Sequence, residues 1–447
     1  MLFRSLIDRF LGSHEIDDEN NAYASASSRL AYSRYPGLIS LMHNVLAASS
    51  TNTGRASLHG IGSVTAHAYT EAYFPVLDML RRAPPPLDTR EPLRPLVLNA
   101  TASPQWHLRT IAARAFASLS EVVTSFDITL RELLQTIPAD ENALHGRLLC
   151  VYHLCKRRLL LLRRHQRQPS LPDESGAQGC SWMALALQSL ASVFSLLSSQ
   201  YRSAVVLASC LDAVNVIATE LLKLATYDSE SVKSFLQIAF SVKSGFLQKM
   251  AGGRLELGRD LLERAQLHTI LLAQMLRCKE SPGEPFDEAT LGADMETYLG
   301  GVEPQIAMEN VKSICKLLPC ILEADQLSFI KIFANLINHA PSQDMAIACS
   351  DAIVGAAERF ASGGGSFGEM AGLLQALDLP QTTQTDSPLQ MESALRIAGF
   401  VCGAKAACPG SDESTAVNHV SRWRKAVRAG LNEDHVSFKL RLQFRRS

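Results

Sequence analysis

The sequence lacks most of what an enzyme or a membrane protein is built from. No apolar run reaches the ~18 residues that span a bilayer, so no membrane contact is expected. Ten cysteines are scattered, and no two have the C-x-x-C spacing of a zinc knuckle or redox pair. Cys150 and Cys155, like Cys315 and Cys320, are five apart, an awkward offset for shared ligation on one helix face. They read as buried intracellular thiols, with no metal. Charge is scarce and balanced: 19% of residues are charged, the formal net charge is -1, and 47% are hydrophobic. That balance excludes a disordered chain. It also argues against wholesale wrapping of nucleic acid, while leaving room for one local basic patch. G-x-G-x-x-G after a strand, H-E-x-x-H and G-x-S-x-G are all absent. Gly363, Gly364, Gly365 and Gly368 resemble a phosphate loop only in number. No strand precedes them and no G-K-[ST] follows, so they read as a flexible interhelical turn. A nucleotide-dependent methyl transferase needs a sheet with a glycine-rich turn, and there is no strand series to make one. A stand-alone enzyme is therefore not expected, nor a cofactor. The opening residues, MLFRSLIDRFLGSHEIDDENNAYA, are a short amphipathic segment followed by acids and do not resemble a secretory signal.

What is present is helix after helix. Apolar residues recur at helical spacing over 2–11, 30–46, 58–82, 92–101, 104–119, 127–137 and 142–164. They recur again over 181–199, 202–225, 229–250, 254–279, 286–299, 304–320, 323–339, 342–361, 367–377, 387–404 and 412–429. The run APPPLD (83–88) stops one helix, and QPSLPDESGAQGC (168–180) is the clearest break. Helices of this length joined by short connections describe stacked hairpins. The uneven spacing suits a period of about 40–47 residues better than a strict 34. The expected fold is thus an all-α, irregular HEAT/armadillo-like helical-repeat solenoid, with a compact helical bundle as the alternative. Expected parts are a helical-repeat segment over 1–167, a linker over 168–180, a further helical-repeat segment over 181–430 and a tail over 431–447. In the tail Val436, Phe438, Leu440, Leu442 and Phe444 alternate with polar residues, a strand-like period with no evident partner strand.

The stretch from Pro104 to Arg164 organises the rest. Ser103 is placed to cap a helix with Pro104 in its first turn. Trp106, Arg109, Ala113 and Phe116 mark one line of that helix, and Leu108, Ile111, Ala112, Ala115 and Leu119 fill the adjacent face. The alanines let a neighbour approach closely. In the next long helix Leu144, Leu148, Val151 and Cys155 form the apolar stripe, and Asn142 is the expected N-cap. Gly146 costs that helix roughly 1 kcal/mol against alanine, a cost most easily kept where another backbone passes close. His145 beside it is expected to be satisfied locally, or else to contact that neighbour or a ligand. Arg109 and Arg114 are expected to bridge to an acid or carbonyl on the next helix.

The sharpest charge signal is KRRLLLLRRHQR. Lys156, Arg157, Arg158, Arg163, Arg164 and Arg167 carry positive charge there with no acid among them. Like charges so close repel, and a phosphate backbone would relieve the repulsion. An acidic protein surface is a second reading. The third is a helix end whose cations answer the C-terminal dipole. No aromatics interleave with the run, so base reading is not expected. A weaker cluster, Arg422, Arg424, Lys425 and Arg428, surrounds Trp423.

Three segments together, YSRYPGLISLMHNVL (32–46), SPQWHLRTIAARAFASL (103–119) and ENALHGRLLCVYHL (141–154), resemble the C-terminal region of the THADA/Trm732 family. The positions that carry it are Pro36, Leu38, Arg109, Ala112, Ala113, Arg114, Asn142, His145, Gly146 and Leu149, most of them read as packing positions. The resemblance covers about residues 30–165. The chain is shorter than typical members, and the family's central domain, with its arginine-rich motif, is not found in it. Members are large helical-repeat proteins of the cytoplasm, non-catalytic partners of a tRNA ribose 2'-O-methyltransferase acting at nucleotide 32 of the anticodon loop. The resemblance therefore implies a scaffold that holds tRNA and methyltransferase together, with the methyl donor on the partner. A protein-interaction solenoid without RNA contact, such as a trafficking or cytoskeletal adaptor, is the competing expectation.

Overall fold

The computed structural model describes residues 32–35, 37–50, 73–122, 124–167, 181–200, 202–224, 227–250, 258–280 and 302–321, with scattered positions between 292 and 353. The expectations for 2–11, the glycine turn at 363–368, the cluster around Trp423 and the alternating tail lie outside the described residues.

Every extended element among the described residues is a helix. In chain order they are α1 (Gly37–Ser50), α2 (73–82), α3 (Arg94–Ala100), α4 (Trp106–Leu119), α5 (Phe126–Leu134), α6 (Glu141–Arg167), α7 (Ser181–Ser199), α8 (Ala204–Lys223), α9 (Ser229–Met250), α10 (Arg259–Glu280) and α11 (Pro304–Cys315). Short 3-10 turns cover Leu87–Thr89 and Leu318–Cys320. The chain divides into two units. One holds residues 1–242 and 254–265, the other 243–253 and 266–447. The helices on either side of 168–180 fall in the first unit.

Within that unit the helices pair as hairpins. α3 packs on α4, α5 on α6 and α7 on α8. The second members form one row, α4 against α6 and α6 against α8, while α5 packs on α7 in the other. Each helix buries its stripe between a hairpin mate and a row neighbour, which is why none could stand alone. This is an all-α, irregular helical repeat consistent with a HEAT/armadillo-like arrangement. The irregularity is visible in where hairpins begin: Arg94, Phe126 and Ser181. The first step is near the ~34 residues of a tetratricopeptide repeat. The second is far longer, because α6 alone runs 27 residues.

Packing follows the sequence stripes closely. Leu108, Ile111, Ala112, Ala113, Ala115, Phe116, Ala117 and Leu119 are buried on α4, as are Leu144, Leu148, Val151 and Cys155 on α6. Small alanines on α4 allow α6 to lie close, and close packing makes each lost methylene costly. α7 and α8 are long and apolar enough to cross a membrane by length and composition, contrary to the expectation that no run would be. Half of the apolar window of α7 and 78% of that of α8 are buried inside the protein. Their apolarity is spent on the core of the first unit.

Helix starts differ from expectation in two places. α4 begins at Trp106, two residues after Pro104, because Gln105 is extended (φ -83, ψ 119). Among the described residues Ser103 Oγ accepts only from the Gln105 N–H, at 3.2 Å. In α6 the cap is Asp140, not Asn142. The Asp140 carboxylate accepts from the Ala143 N–H at 2.7 Å, where a full negative charge suits a helix N-terminus. Asn142 lies two residues too late to cap and is used elsewhere. Gly258, just before α10, has φ +79, and a Cβ there would stand 2.5 Å from Val205 Cγ2.

Candidate functional site

The family-like residues meet at the seam between α4 and α6. Arg109, 7% exposed, points from the first turn of α4 into the first turns of α6. Its Nε donates to His145 Nδ1 at 3.0 Å. Its Nη1 donates to the Ser103 carbonyl at 2.6 Å and to Asn142 Oδ1 at 2.7 Å. Trp106 closes the cluster from outside, stacked on His145 at 4.7 Å and with the Arg109 guanidinium 5.7 Å from its ring centre. Buried charge demands such a full set of acceptors. Here all three acceptors are neutral, with Asp140 favouring the charged guanidinium from a distance.

Accepting at Nδ1 fixes the His145 tautomer, leaving its proton on Nε2. That nitrogen is buried without a hydrogen-bond partner among the described residues. Burial, and then the Arg109 charge, push the His145 pKa down to about 4. The ring is neutral at neutral pH and acts as an acceptor for arginine. One residue on, Gly146 meets the end of α3. A Cβ at Gly146 would lie 2.0 Å from the Thr101 carbonyl oxygen. The backbone passing close to the glycine is that of Thr101. Together these contacts set α3, α4 and α6 in register, and the cluster works as a rivet between consecutive hairpins.

Arg114 takes a different place from Arg109. It is exposed and has no hydrogen bond or ion pair among the described residues, so the expected bridge is made by Arg109 alone.

The described arginines of the basic run turn inward. Arg157 Nη1 donates to the Ala117 carbonyl and, at 3.4 Å, to that of Ser120. Arg158 Nη1 donates to the Val122 carbonyl, with its guanidinium 5.8 Å from the Phe126 ring centre. Arg90 adds a third guanidinium, donating to the Ser118 carbonyl at 3.5 Å. The end of α4 carries no basic residue in its own last turn. Its unpaired carbonyls, and the negative end of its dipole, are answered from other parts of the chain. Burial, and then repulsion by Arg90, lower the Arg157 pKa to about 10. Further along α6, Arg163 grips Glu220 of α8 with two nitrogens, Nε to Oε1 at 2.8 Å and Nη2 to Oε2. Glu220 is almost fully buried. Lys156 is exposed, and the side chains of Arg164 and Arg167 lie outside the described residues.

Thr101 and Glu220 were missed in the sequence, and Asp140 was read there only as negative charge favourable before the helix. Asp140 had a readable signal, three residues before a free N–H of a new helix. Glu220 had a weaker one, a lone acid inside an otherwise apolar helix. Thr101 contributes its carbonyl and Cβ, which almost any residue would supply, and has none. Cys150, Cys155, Cys210, Cys278 and Cys349 are buried, and burial pushes the Cys155 and Cys210 thiols up to about 12. Among the described residues no group of three His, Cys, Asp or Glu is placed to hold a metal ion.

A hairpin-repeat body with a riveted seam is thus the class of protein the fold defines. Comparison narrows this. The family described as "Trm732, C-terminal TPR repeats" matches residues 1–154, which include the whole α4–α6 cluster. A protein named "tRNA (32-2'-O)-methyltransferase regulator THADA" from Chlorocebus aethiops is 28% identical over 170 residues, 34% of this chain and 8% of its own. The proteins of the same name from Homo sapiens and Mus musculus are 27% and 26% identical, over 34% and 41% of this chain and 8% and 10% of their own. The chain is distantly homologous to the THADA/Trm732 family, and the matched stretches span only about a tenth of the relatives' length. No solved structure matches it significantly.

Proposed function

We propose that the chain is a non-catalytic helical-repeat scaffold supporting 2'-O-methylation of tRNA at nucleotide 32 by a partner methyltransferase. The observation that carries this reading is the coincidence of the family match over 1–154 with the Arg109–Asn142–His145–Gly146 seam. The match corresponds to the C-terminal repeats of the family, and the methyltransferase and tRNA are the proposed partners, met in the cytoplasm. Catalysis and methyl donor belong to the partner. The basic run is proposed to contribute RNA contact chiefly through Lys156, with the partly exposed Arg158 and Arg163 adding charge from anchored positions; Arg157 serves the fold, and Arg164 and Arg167 extend the run in sequence. The test is reconstitution. Full-length chain, methyltransferase and unmodified tRNA are combined, and 2'-O-methylation at nucleotide 32 is read by mass spectrometry. Stimulation of methylation is expected, together with co-purification of the two proteins. No stimulation and no association would overturn the reading.

The inward turn of Arg157, Arg158 and Arg163 favours a second reading, a protein-interaction repeat without RNA contact. It predicts association with the methyltransferase at unchanged strength when tRNA is absent, and no tRNA binding by the chain alone.

A further inference from the structure

Exposed and partly exposed cations, Lys156 of the run among them, gather on the edge where α2, α4 and α6 meet. Ser118 Oγ donates to the Arg81 carbonyl at 3.1 Å, which sets the end of α2 against the exposed face of α4. Arg114 stands one helical turn before Ser118 on that face. Arg157, reaching Ala117 and Ser120, fixes the adjacent turn of α6, which carries His153 and Lys156. Arg114 and Lys156 are exposed and have no hydrogen bond or ion pair among the described residues. Asp78 is shared between Arg81, at 2.8 Å, and Arg82, at 3.0 Å, so one carboxylate serves two cations. Burial, and then the positive charges of Arg114, Lys156 and Arg81, keep the His153 ring neutral. Aromatic surface lies beside the cations. Phe74, 43% exposed, is one turn before Asp78 on the same face of α2, and the half-buried Tyr152 is next to His153, with Asp212 as well as Arg114 acting on it.

We propose that this surface, Arg81, Arg82, Arg114 and Lys156 flanked by Phe74 and Tyr152, binds the phosphate backbone of RNA at an unpaired stretch. The proposal rests on the RNA reading above and locates the contact. Cations held on three separate helices match phosphates along a strand, and the aromatic faces offer stacking to unpaired bases. An acidic peptide would use the cations and leave the rings idle. With a net charge of -1 overall, attraction for a polyanion must come from a local concentration of charge such as this one.

The test measures binding of the full chain to labelled tRNA by fluorescence anisotropy at two salt concentrations. Arg114→Glu with Lys156→Glu is expected to weaken binding at least tenfold and to flatten the salt dependence by about two phosphate contacts, ~0.7 each in log–log slope for single strands. Arg131→Glu, a single such reversal on the exposed part of α5, is expected to stay within about twofold. Phe74→Ala is expected to weaken binding by about tenfold with an unchanged salt slope. If the reversal lowers the melting temperature, Arg114→Gln with Lys156→Gln replaces it, with about a fivefold loss expected. Salt-dependent tRNA binding that neither pair weakens would overturn this surface and leave the RNA reading standing. Equal loss in the Arg131→Glu control would also overturn it. No binding of tRNA by the unaltered chain at low salt would overturn both. Binding of polyglutamate in preference to tRNA, lost in the same variants, would assign the surface to an acidic protein instead.

Discussion

At the scale of single residues, the seam between α4 and α6 concentrates what is least replaceable. Gly146 is helical, so its conformation suits any residue, yet its missing Cβ makes room for the Thr101 carbonyl. Gly146→Ala should therefore destabilise despite the better helix propensity of alanine, by about 2–3 kcal/mol, since backbone rather than a flexible side chain must move. A denaturant titration reads this directly. His145 gives a pH dependence of definite sign. Its folded pKa, near 4, lies below the ordinary 6.5 of histidine, so the unfolded chain takes up the proton first. Stability is full above pH 6.5 and falls as the pH drops from 6.5 toward 4. His153, also lowered, adds to the same trend. His145→Asn keeps an acceptor for Arg109 and removes the titration, so the fall in melting temperature between pH 6.5 and 5 should shrink. Of this cluster the sequence revealed the participants and the reason for the glycine, because a glycine inside a helix stripe is conspicuous. It could not reveal Thr101, whose carbonyl any residue would supply, nor that Asn142 is freed by Asp140 to hold an arginine.

At the scale of elements, stripes are legible and helix ends are not. The apolar faces of α4 and α6 are buried where periodicity put them, because a 3.6-residue repeat is a local property. The run KRRLLLLRR was read outward, toward phosphate or solvent, because its acceptors are main-chain carbonyls more than thirty residues away. Glu220, a side-chain acceptor for the run among the described residues, sits buried in α8. Arg163→Met leaves that carboxylate buried without its partner and should cost roughly 3 kcal/mol. The double change Arg163→Met with Glu220→Leu should recover most of the loss, since burying neither charge avoids the desolvation. A double-mutant cycle on melting measures the coupling, and equal losses in single and double variants would show that the pair does not act as a unit.

At the scale of the whole chain, near-neutrality matters more than any single basic segment. A net charge of -1 gives little long-range pull on polyanions, so retention on heparin should be weak and confined to low salt, and should vanish with Arg114→Glu and Lys156→Glu. The all-α repeat character of the described residues was legible, since helix stripes are a local property of the sequence. The pairing of hairpins was not, because α6 runs on to Arg167 and stretches the second step beyond any fixed period.

One arrangement bears on how such a chain is made. α4 has no cation of its own to close its far end, and the guanidiniums that do so arrive from Arg90 before it and from Arg157 after it. On a ribosome, α4 emerges some forty residues ahead of Arg157. Arg90 is already present to meet the Ser118 carbonyl, but the Ala117 and Ser120 carbonyls must wait for Arg157 until α6 is synthesised and swings alongside. The α5–α6 hairpin thus finishes the α3–α4 hairpin made before it, in the direction of translation.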